Sequence, residues 1–148
     1  MKFRVAIPLL LAVVMVACVR ASAEPDKPSR EQLLARADVA QGEKCAELCI
    51  DAAQNLVEYS NELFTNGEVD KAQTAMQDAA KYARKATDGS IQANKRQKKT
   101  EIALRKLAKR MRDINQTLAI DDRAEVEKAI ANVEKMRTDL LMSLFSKE

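Results

Sequence analysis

The sequence contains no histidine and no tryptophan, and its aromatic residues are limited to two Tyr and three Phe. The absence of histidine excludes Ser-His-Asp and Cys-His nucleophilic catalysis, His-ligated zinc and a haem held by an axial histidine. The aromatic side chains are too few to form a platform on which bases or sugars stack. The sequence also has no glycine-rich phosphate loop, zinc-ligand spacing or calcium loop. We therefore expect no enzyme, no cofactor and no metal ligand set.

Proline is absent from position 29 to position 148, and no stretch alternates β-branched with polar residues as a half-buried strand does. Alanine, the best helix former, is abundant instead. This composition predicts an all-α fold. We expect a disordered lead-in at 24–29 and a single helical domain over 30–148, with helices at about 30–65, 69–118 and 122–145.

Helix-capping signals set these boundaries. The Ser29-x-x-Gln32 spacing suits a capping box, and Asp122-x-x-Glu125 suggests the same for the last helix. The Asn66-Gly67 pair should end the first helix, because glycine accepts the left-handed conformation found after a helix C-terminus.

The middle helix shows an uninterrupted register of mainly apolar and small residues, with polar Ser90, Gln97 and Thr100 in its middle. Steps of three and four from Val69 reach Leu118 without a change of register, which predicts one continuous helix about 75 Å long. Asp88-Gly89 is the place where this helix could bend or break. Short turns on either side make its neighbours antiparallel, so the predicted architecture is an elongated three-helix antiparallel coiled coil or bundle. Its alanine-rich seams also allow a homodimer.

The first 23 residues have the three parts of a secretory signal. Lys2 and Arg4 precede an apolar run over 5–19, and the small residues of Ala21-Ser22-Ala23 suit signal peptidase. The run is shorter than the roughly 20 residues that a transmembrane helix needs. We predict a cleaved signal peptide at 1–23, a periplasmic or secreted protein and no transmembrane helix after processing. Cys18, within Met15-Val16-Ala17-Cys18, offers lipid anchoring as an alternative route.

Removal of this leader changes the charge of the chain. The formal net charge of the whole sequence is +3, and the leader holds Lys2, Arg4 and Arg20 but no acidic residue. The processed chain would therefore be neutral. Its overall charge gives no argument for nucleic-acid binding.

The strongest local charge lies in the segment 95–112, which has nine basic residues and a single acidic one, Glu101. Helical spacing places most of these cations opposite the apolar stripe. One interpretation is a solvated face beside the acidic third helix. The other is a docking surface for acidic lipid headgroups, a polysaccharide or an acidic protein. The candidate docking residues are Lys95, Lys98, Lys99, Arg105, Lys106, Lys109, Arg110 and Arg112.

Cys45 and Cys49 form a second candidate site, because they lie four residues apart on one helix. In a regular helix the Cβ atoms at this spacing are about 5–6 Å apart, whereas a disulfide requires about 3.5–4.5 Å. Three interpretations follow: two small core thiols, a strained or intermolecular disulfide, and a soft-metal site for an ion such as Cu(I).

The stretch Phe64-Thr-Asn-Gly67-Glu-Val69-Asp-Lys-Ala72 resembles the turn of a tetratricopeptide repeat, in which an aromatic, a Gly, a large residue and an Ala recur at these spacings. The resemblance covers 53–86. No second copy follows at the 34-residue period of the family. Since peptides bind that family in a groove between stacked hairpins, the resemblance implies a helical hairpin and no peptide groove.

Together these features predict a non-enzymatic, exported helical interaction or scaffold protein of the bacterial envelope, with an unknown envelope protein as partner. One alternative is a protein that binds an anionic membrane surface or envelope polymer through 95–112. The other is a thiol redox or soft-metal protein that uses Cys45 and Cys49. We expect no specific nucleic-acid partner.

Overall fold

A computed structural model describes residues 27–146, and the all-α prediction is confirmed for this range, which contains no strand. The predicted leader at 1–23, its Cys18 and the first residues of the lead-in lie outside the described residues. No helix within 27–146 is long and apolar enough to cross a membrane. The described helices are α1 (Arg30–Val39), α2 (Gly42–Thr65), α3 (Val69–Ala93), α4 (Gln97–Thr117) and α5 (Arg123–Phe145), with a short 3-10 turn at Ile120–Asp122.

Helices α2 to α5 pack side by side as a four-helix bundle. Cross-helix contacts show that α2 and α3 are antiparallel, as are α4 and α5, while α4 runs parallel to α2 and α5 runs parallel to α3. The antiparallel contacts are Ser60–Ala72 and Cys45–Lys85 between α2 and α3, and Glu101–Arg137 and Asn115–Glu127 between α4 and α5. The parallel contacts are Glu43–Lys95 and Glu58–Arg110 along α2 and α4, and Gln77–Glu125 and Arg84–Asp139 between α3 and α5.

The prediction of one continuous helix over 69–118 is wrong, and with it the three-helix arrangement. The chain reverses between α3 and α4 at residues 94–96, where Asn94 has φ 51° and Arg96 has φ 60°. Two left-handed residues so close together cannot belong to a right-handed helix. The helix does not break at Gly89, because α3 continues through it to Ala93.

The first predicted helix, 30–65, is divided as well. Ala40 is extended and Gly42 has φ 58°, so the chain turns between α1 and α2. α1 then packs on the outside of α2 and α3. Its Asp38 accepts hydrogen bonds from Tyr82 and Lys85 of α3, and Arg30 lies 3.4 Å above the Tyr59 ring of α2.

The helix-capping predictions had mixed outcomes. The Ser29–Gln32 capping box is present, and α2 ends at Thr65 just before Asn66 and Gly67, with Gly67 at φ 78°. The cap predicted at Asp122 is wrong, because its side chain makes no capping hydrogen bond and the residue ends the 3-10 turn.

The buried core changes in character across the bundle. Between α2 and α3 it consists mainly of alanines, such as Ala52, Ala79 and Ala83, so these helices lie close together. Larger side chains fill the side formed by α4 and α5, including Leu104, Met111, Val126, Val133 and Leu140. Asn66 and Gly67 join α2 to α3 as a helical hairpin.

Candidate functional site

The structure divides the eight predicted docking residues into two groups. Five make ion pairs with acidic side chains, and Lys98, Lys99 and Lys106 make none within the described residues. The pairs are Lys95–Glu43 at 3.5 Å, Arg105–Glu101 at 3.3 Å, Lys109–Asp113 at 3.2 Å, Arg110–Glu58 at 2.7 Å and Arg112–Glu134. The predicted uniform basic face is therefore neutralised along much of α4.

Two of these pairs hold the bundle together. Arg110 donates two hydrogen bonds of 2.7 Å to Glu58 of α2, a bidentate geometry that suits guanidinium and carboxylate. The bond from Arg110 lowers the pKa of Glu58 below its usual range. Arg112 similarly bonds Glu134 of α5. These two arginines are used to attach α4 to its neighbours, so they are poor candidates for contact with an external partner.

Glu101, the only acidic residue in the basic segment, is 9% exposed. It accepts hydrogen bonds from Arg137 of α5 at 3.0 and 3.3 Å and from Arg105 at 3.3 Å. Arg137 lies 36 positions further along the chain, on the antiparallel helix that the short turn after α4 brings alongside.

Two of the three lysines without an ion pair in 27–146, Lys98 and Lys99, lie where α3 turns into α4, whereas Lys106 lies further along α4. We name the four basic residues Lys95, Arg96, Lys98 and Lys99 the cationic turn. Of these, only Lys95 makes an ion pair within the described chain. Arg96 was not among the predicted docking residues, although it lies inside the basic segment, and its left-handed backbone places it at the N-terminus of α4.

A shallow cavity of about 440 Å³ opens at the cationic turn. The four residues of the cationic turn line it together with Asn94, Gln97, Glu43 of α2 and Leu144 of α5. The N-terminus of α4 at this cavity has no side-chain cap and no acidic residue in its first turn. Its unpaired amide groups and the positive end of the helix dipole add to the positive potential of the side chains.

Two exposed apolar side chains lie at the same end of the bundle as this cavity. Met142 and Phe145, in the last turn of α5, are 60% and 69% exposed, and Leu144 between them lines the cavity itself. We name Met142 and Phe145 the apolar tip. These two residues were not among the predicted docking residues, which were chosen by their positive charge.

Cys45 and Cys49 are free and buried, with their Sγ atoms 3.3 Å apart. Cys45 Sγ also lies 3.7 Å from the carbonyl oxygen of Lys85, and Cys49 Sγ lies 3.6 Å from that of Ala37. Burial, together with the hydrogen bond to Cys45, raises the pKa of Cys49 to about 12. Within 27–146 no further His, Cys, Asp or Glu side chain joins this pair to form a group that could hold a metal.

Comparison with protein-family models, with curated proteins and with solved structures finds no match to this chain.

Proposed function

We propose that this chain is a non-enzymatic, exported interaction protein of the bacterial envelope that attaches to an anionic membrane surface through one end of its helical bundle. The observation that carries the proposal is that the apolar tip and the cationic turn lie at the same end of the bundle. Cations without ion pairs and exposed apolar side chains are the two components by which a peripheral protein holds to anionic lipid.

The charge alone supports only weak attachment. Each Lys or Arg near an anionic leaflet contributes about 1 kcal/mol, so Arg96, Lys98 and Lys99 together contribute about 3 kcal/mol. Insertion of Phe145 and Met142 adds apolar burial at about 25 cal/mol per Å². Both components are needed for stable binding, which explains why they lie at the same end of the bundle.

The apolar tip favours a lipid surface over a soluble polyanion. A polysaccharide or an acidic protein segment could pair with the lysines and arginine, but it would leave Met142 and Phe145 in water. A lipid headgroup region satisfies both, because cations remain among the phosphates while apolar side chains reach the acyl boundary.

The thiol function finds less support. Only the thiolate attacks disulfides and binds soft metals, and a pKa of about 12 keeps Cys49 protonated at physiological pH. Both thiols are also buried, at 8% and 0% exposure. We therefore assign this pair to the core between α1, α2 and α3.

Vesicle sedimentation tests the proposal. The purified protein, with its N-terminus sequenced to establish whether 1–23 remain, is mixed with vesicles of phosphatidylglycerol and phosphatidylcholine in low salt and in high salt. We expect binding to phosphatidylglycerol vesicles that is lost at high salt. Equal binding to pure phosphatidylcholine would overturn the proposal.

Charge-matched variants locate the surface. Lys98→Gln with Lys99→Gln should weaken vesicle binding by about tenfold or more, from two cations at about 1 kcal/mol each. Lys71→Gln with Lys128→Gln removes the same charge from exposed sites on α3 and α5 away from the cationic turn, and should have a much smaller effect. Met142→Ser with Phe145→Ser should weaken vesicle binding but leave heparin binding unchanged. If this variant binds vesicles normally, the partner is a polyanion.

A further inference from the structure

We propose that the N-terminus of α4 is a binding site for a phosphate group, held by the first amides of the helix, the side-chain amide of Gln97 and the cations Arg96, Lys98 and Lys99. On the proposed function, on which this inference rests, the group is the phosphodiester of an anionic lipid headgroup. This site would bind one phosphate group through hydrogen-bond donors that line a cavity. The rest of the proposed membrane-binding surface would attract anionic lipid through its positive charge alone.

The first support is the open backbone at the start of α4. The amide groups of an N-terminal helical turn have no intrahelical acceptor, and the N-cap residue Arg96 makes no side-chain capping bond to them. Arg96 is left-handed and Gln97 begins the right-handed helix. Such an alternation points successive N–H groups toward one concavity, which is an arrangement that binds anions.

The second, independent support is the side chain of Gln97. It is only 6% exposed, it lines the cavity, and its Nε2 is buried without a hydrogen-bond partner in the described chain. Buried polar groups are nearly always hydrogen-bonded, so an orphaned donor requires an explanation. A turn of the side-chain amide would bring Nε2 into the cavity, where a phosphate oxygen would accept from it and from the neighbouring backbone groups.

The charge around the cavity suits an anion. Its single acidic lining residue, Glu43, is engaged by Lys95 at 3.5 Å. Arg96, Lys98 and Lys99 retain their positive charge without an ion pair among residues 27–146. A carboxylate presents two oxygens in one plane, whereas the tetrahedral oxygens of a phosphate can meet backbone, amide and cationic donors that approach from different sides.

Anion titration followed by NMR tests the site directly. Inorganic phosphate and the soluble diester glycerophosphoglycerol are added separately, with sodium chloride at matched ionic strength as the comparison. We expect saturable shifts of the backbone amides of Gln97, Lys98 and Lys99. Shifts with phosphate that do not saturate, or that chloride reproduces, would overturn the inference. A preference for the diester over inorganic phosphate would indicate the lipid headgroup as the source.

A variant at Gln97 separates binding from folding. Gln97→Leu keeps the side chain large and removes the orphaned donor, so it should raise Tm while weakening phosphate binding at least fivefold. Gln116→Leu, at an exposed position near the other end of α4, should leave phosphate binding unchanged. Unchanged phosphate binding by Gln97→Leu would contradict the proposed site. If Gln97→Leu folds poorly, the exposed pair Lys98→Gln with Lys99→Gln provides the test, since the loss of affinity is then expected without loss of helicity.

The two proposals can fail separately. Salt-sensitive vesicle binding without a saturable phosphate site would leave the proposed function in place and remove this inference. Saturable phosphate binding without attachment to phosphatidylglycerol vesicles would leave the site in place and remove the membrane as its source.

Discussion

Ser90 Oγ and Thr100 Oγ1 lie 2.6 Å apart and form a buried hydrogen bond between α3 and α4. In a continuous helix, ten residues would separate them by about 15 Å along the axis. The contact exists only because the chain reverses at residues 94–96. Both side chains are almost fully buried, at 0% and 3% exposure, so the two hydroxyls depend on each other for a partner.

Thr100→Val should therefore destabilise the fold by about 1 kcal/mol or more, since it leaves the Ser90 hydroxyl without its partner across the turn. Ser90→Ala combined with Thr100→Val should be less destabilising than the two single changes added together. Urea unfolding measures the free energies. Thr138→Val is the control, because that hydroxyl is exposed and bonds only its own helix at Glu134. Strict additivity of the two changes would show that the hydroxyls are not coupled.

The helices themselves could be predicted from sequence, but their directions could not. The three-and-four repeat continues from α3 into α4 because both helices bury that stripe in the same bundle core. The three residues at 94–96 are close in number to the 3.6 residues of one helical turn. The three-and-four spacing of the buried positions is therefore the same before and after the reversal. Asn94 and the polar seam around Ser90 and Thr100 were the available signals, and each is also compatible with a weak coiled-coil middle.

The candidate site was predicted only in part, for a similar reason. The excess of positive charge fixed the segment 95–112, since it depends on composition alone. Which cations are neutralised depends on Glu58, Glu101 and Glu134, whose positions follow from the packing of α2, α4 and α5. The approach of the end of α5 to the start of α4, by contrast, follows from the short turn that makes these two helices antiparallel, which the sequence did predict.

Gly89 should be required for close packing of α3 against the start of α2. A Cβ at this position would lie 2.9 Å from the carbonyl oxygen of Gly42 and 3.4 Å from the Cβ of Cys45. Helix propensity favours alanine over glycine by about 1 kcal/mol, but the clash is with backbone and cannot be relieved by a side-chain rotation. We expect Gly89→Ala to lower the free energy of unfolding by about 1–3 kcal/mol.

The control for this change is Asp88→Ala, the preceding position, which is exposed on the same helix. It should alter the stability by less than about 0.5 kcal/mol. Thermal unfolding of both variants decides the question. An increase in Tm for Gly89→Ala would mean that α2 and α3 lie further apart than the structure places them.

Cys49 should make the fold sensitive to alkaline pH. Burial raises its folded-state pKa from an ordinary value of 9.0 to about 12, so the unfolded chain loses this proton at lower pH than the folded protein. The stabilisation is complete below pH 9 and decreases as the pH rises toward 12. Between pH 9 and pH 10 the free energy of unfolding should fall by about 1 kcal/mol from this group alone.

Urea unfolding at pH 8, 9 and 10 measures that dependence, with Cys49→Ala as the matched variant. The variant should be less stable at every pH because it leaves a cavity, but its stability should fall less between pH 9 and pH 10. Tyr82, whose pKa burial also raises to about 12, contributes equally to both proteins. Parallel pH profiles would show that the Cys49 thiol is not protected from ionisation.

Arg96 should show opposite effects on stability and on binding. Its left-handed backbone costs about 1 kcal/mol for a residue with a side chain, and glycine would remove that cost. The cation itself makes no ion pair within the described residues, so its loss breaks no such contact in the fold. We expect Arg96→Gly to raise the free energy of unfolding by about 0.5–1 kcal/mol and to weaken binding to phosphatidylglycerol vesicles severalfold.

Lys98→Gln, which removes a charge without a backbone change, should weaken vesicle binding similarly at unchanged stability. If Arg96→Gly binds the vesicles as well as the unsubstituted protein, the N-terminus of α4 does not face the membrane.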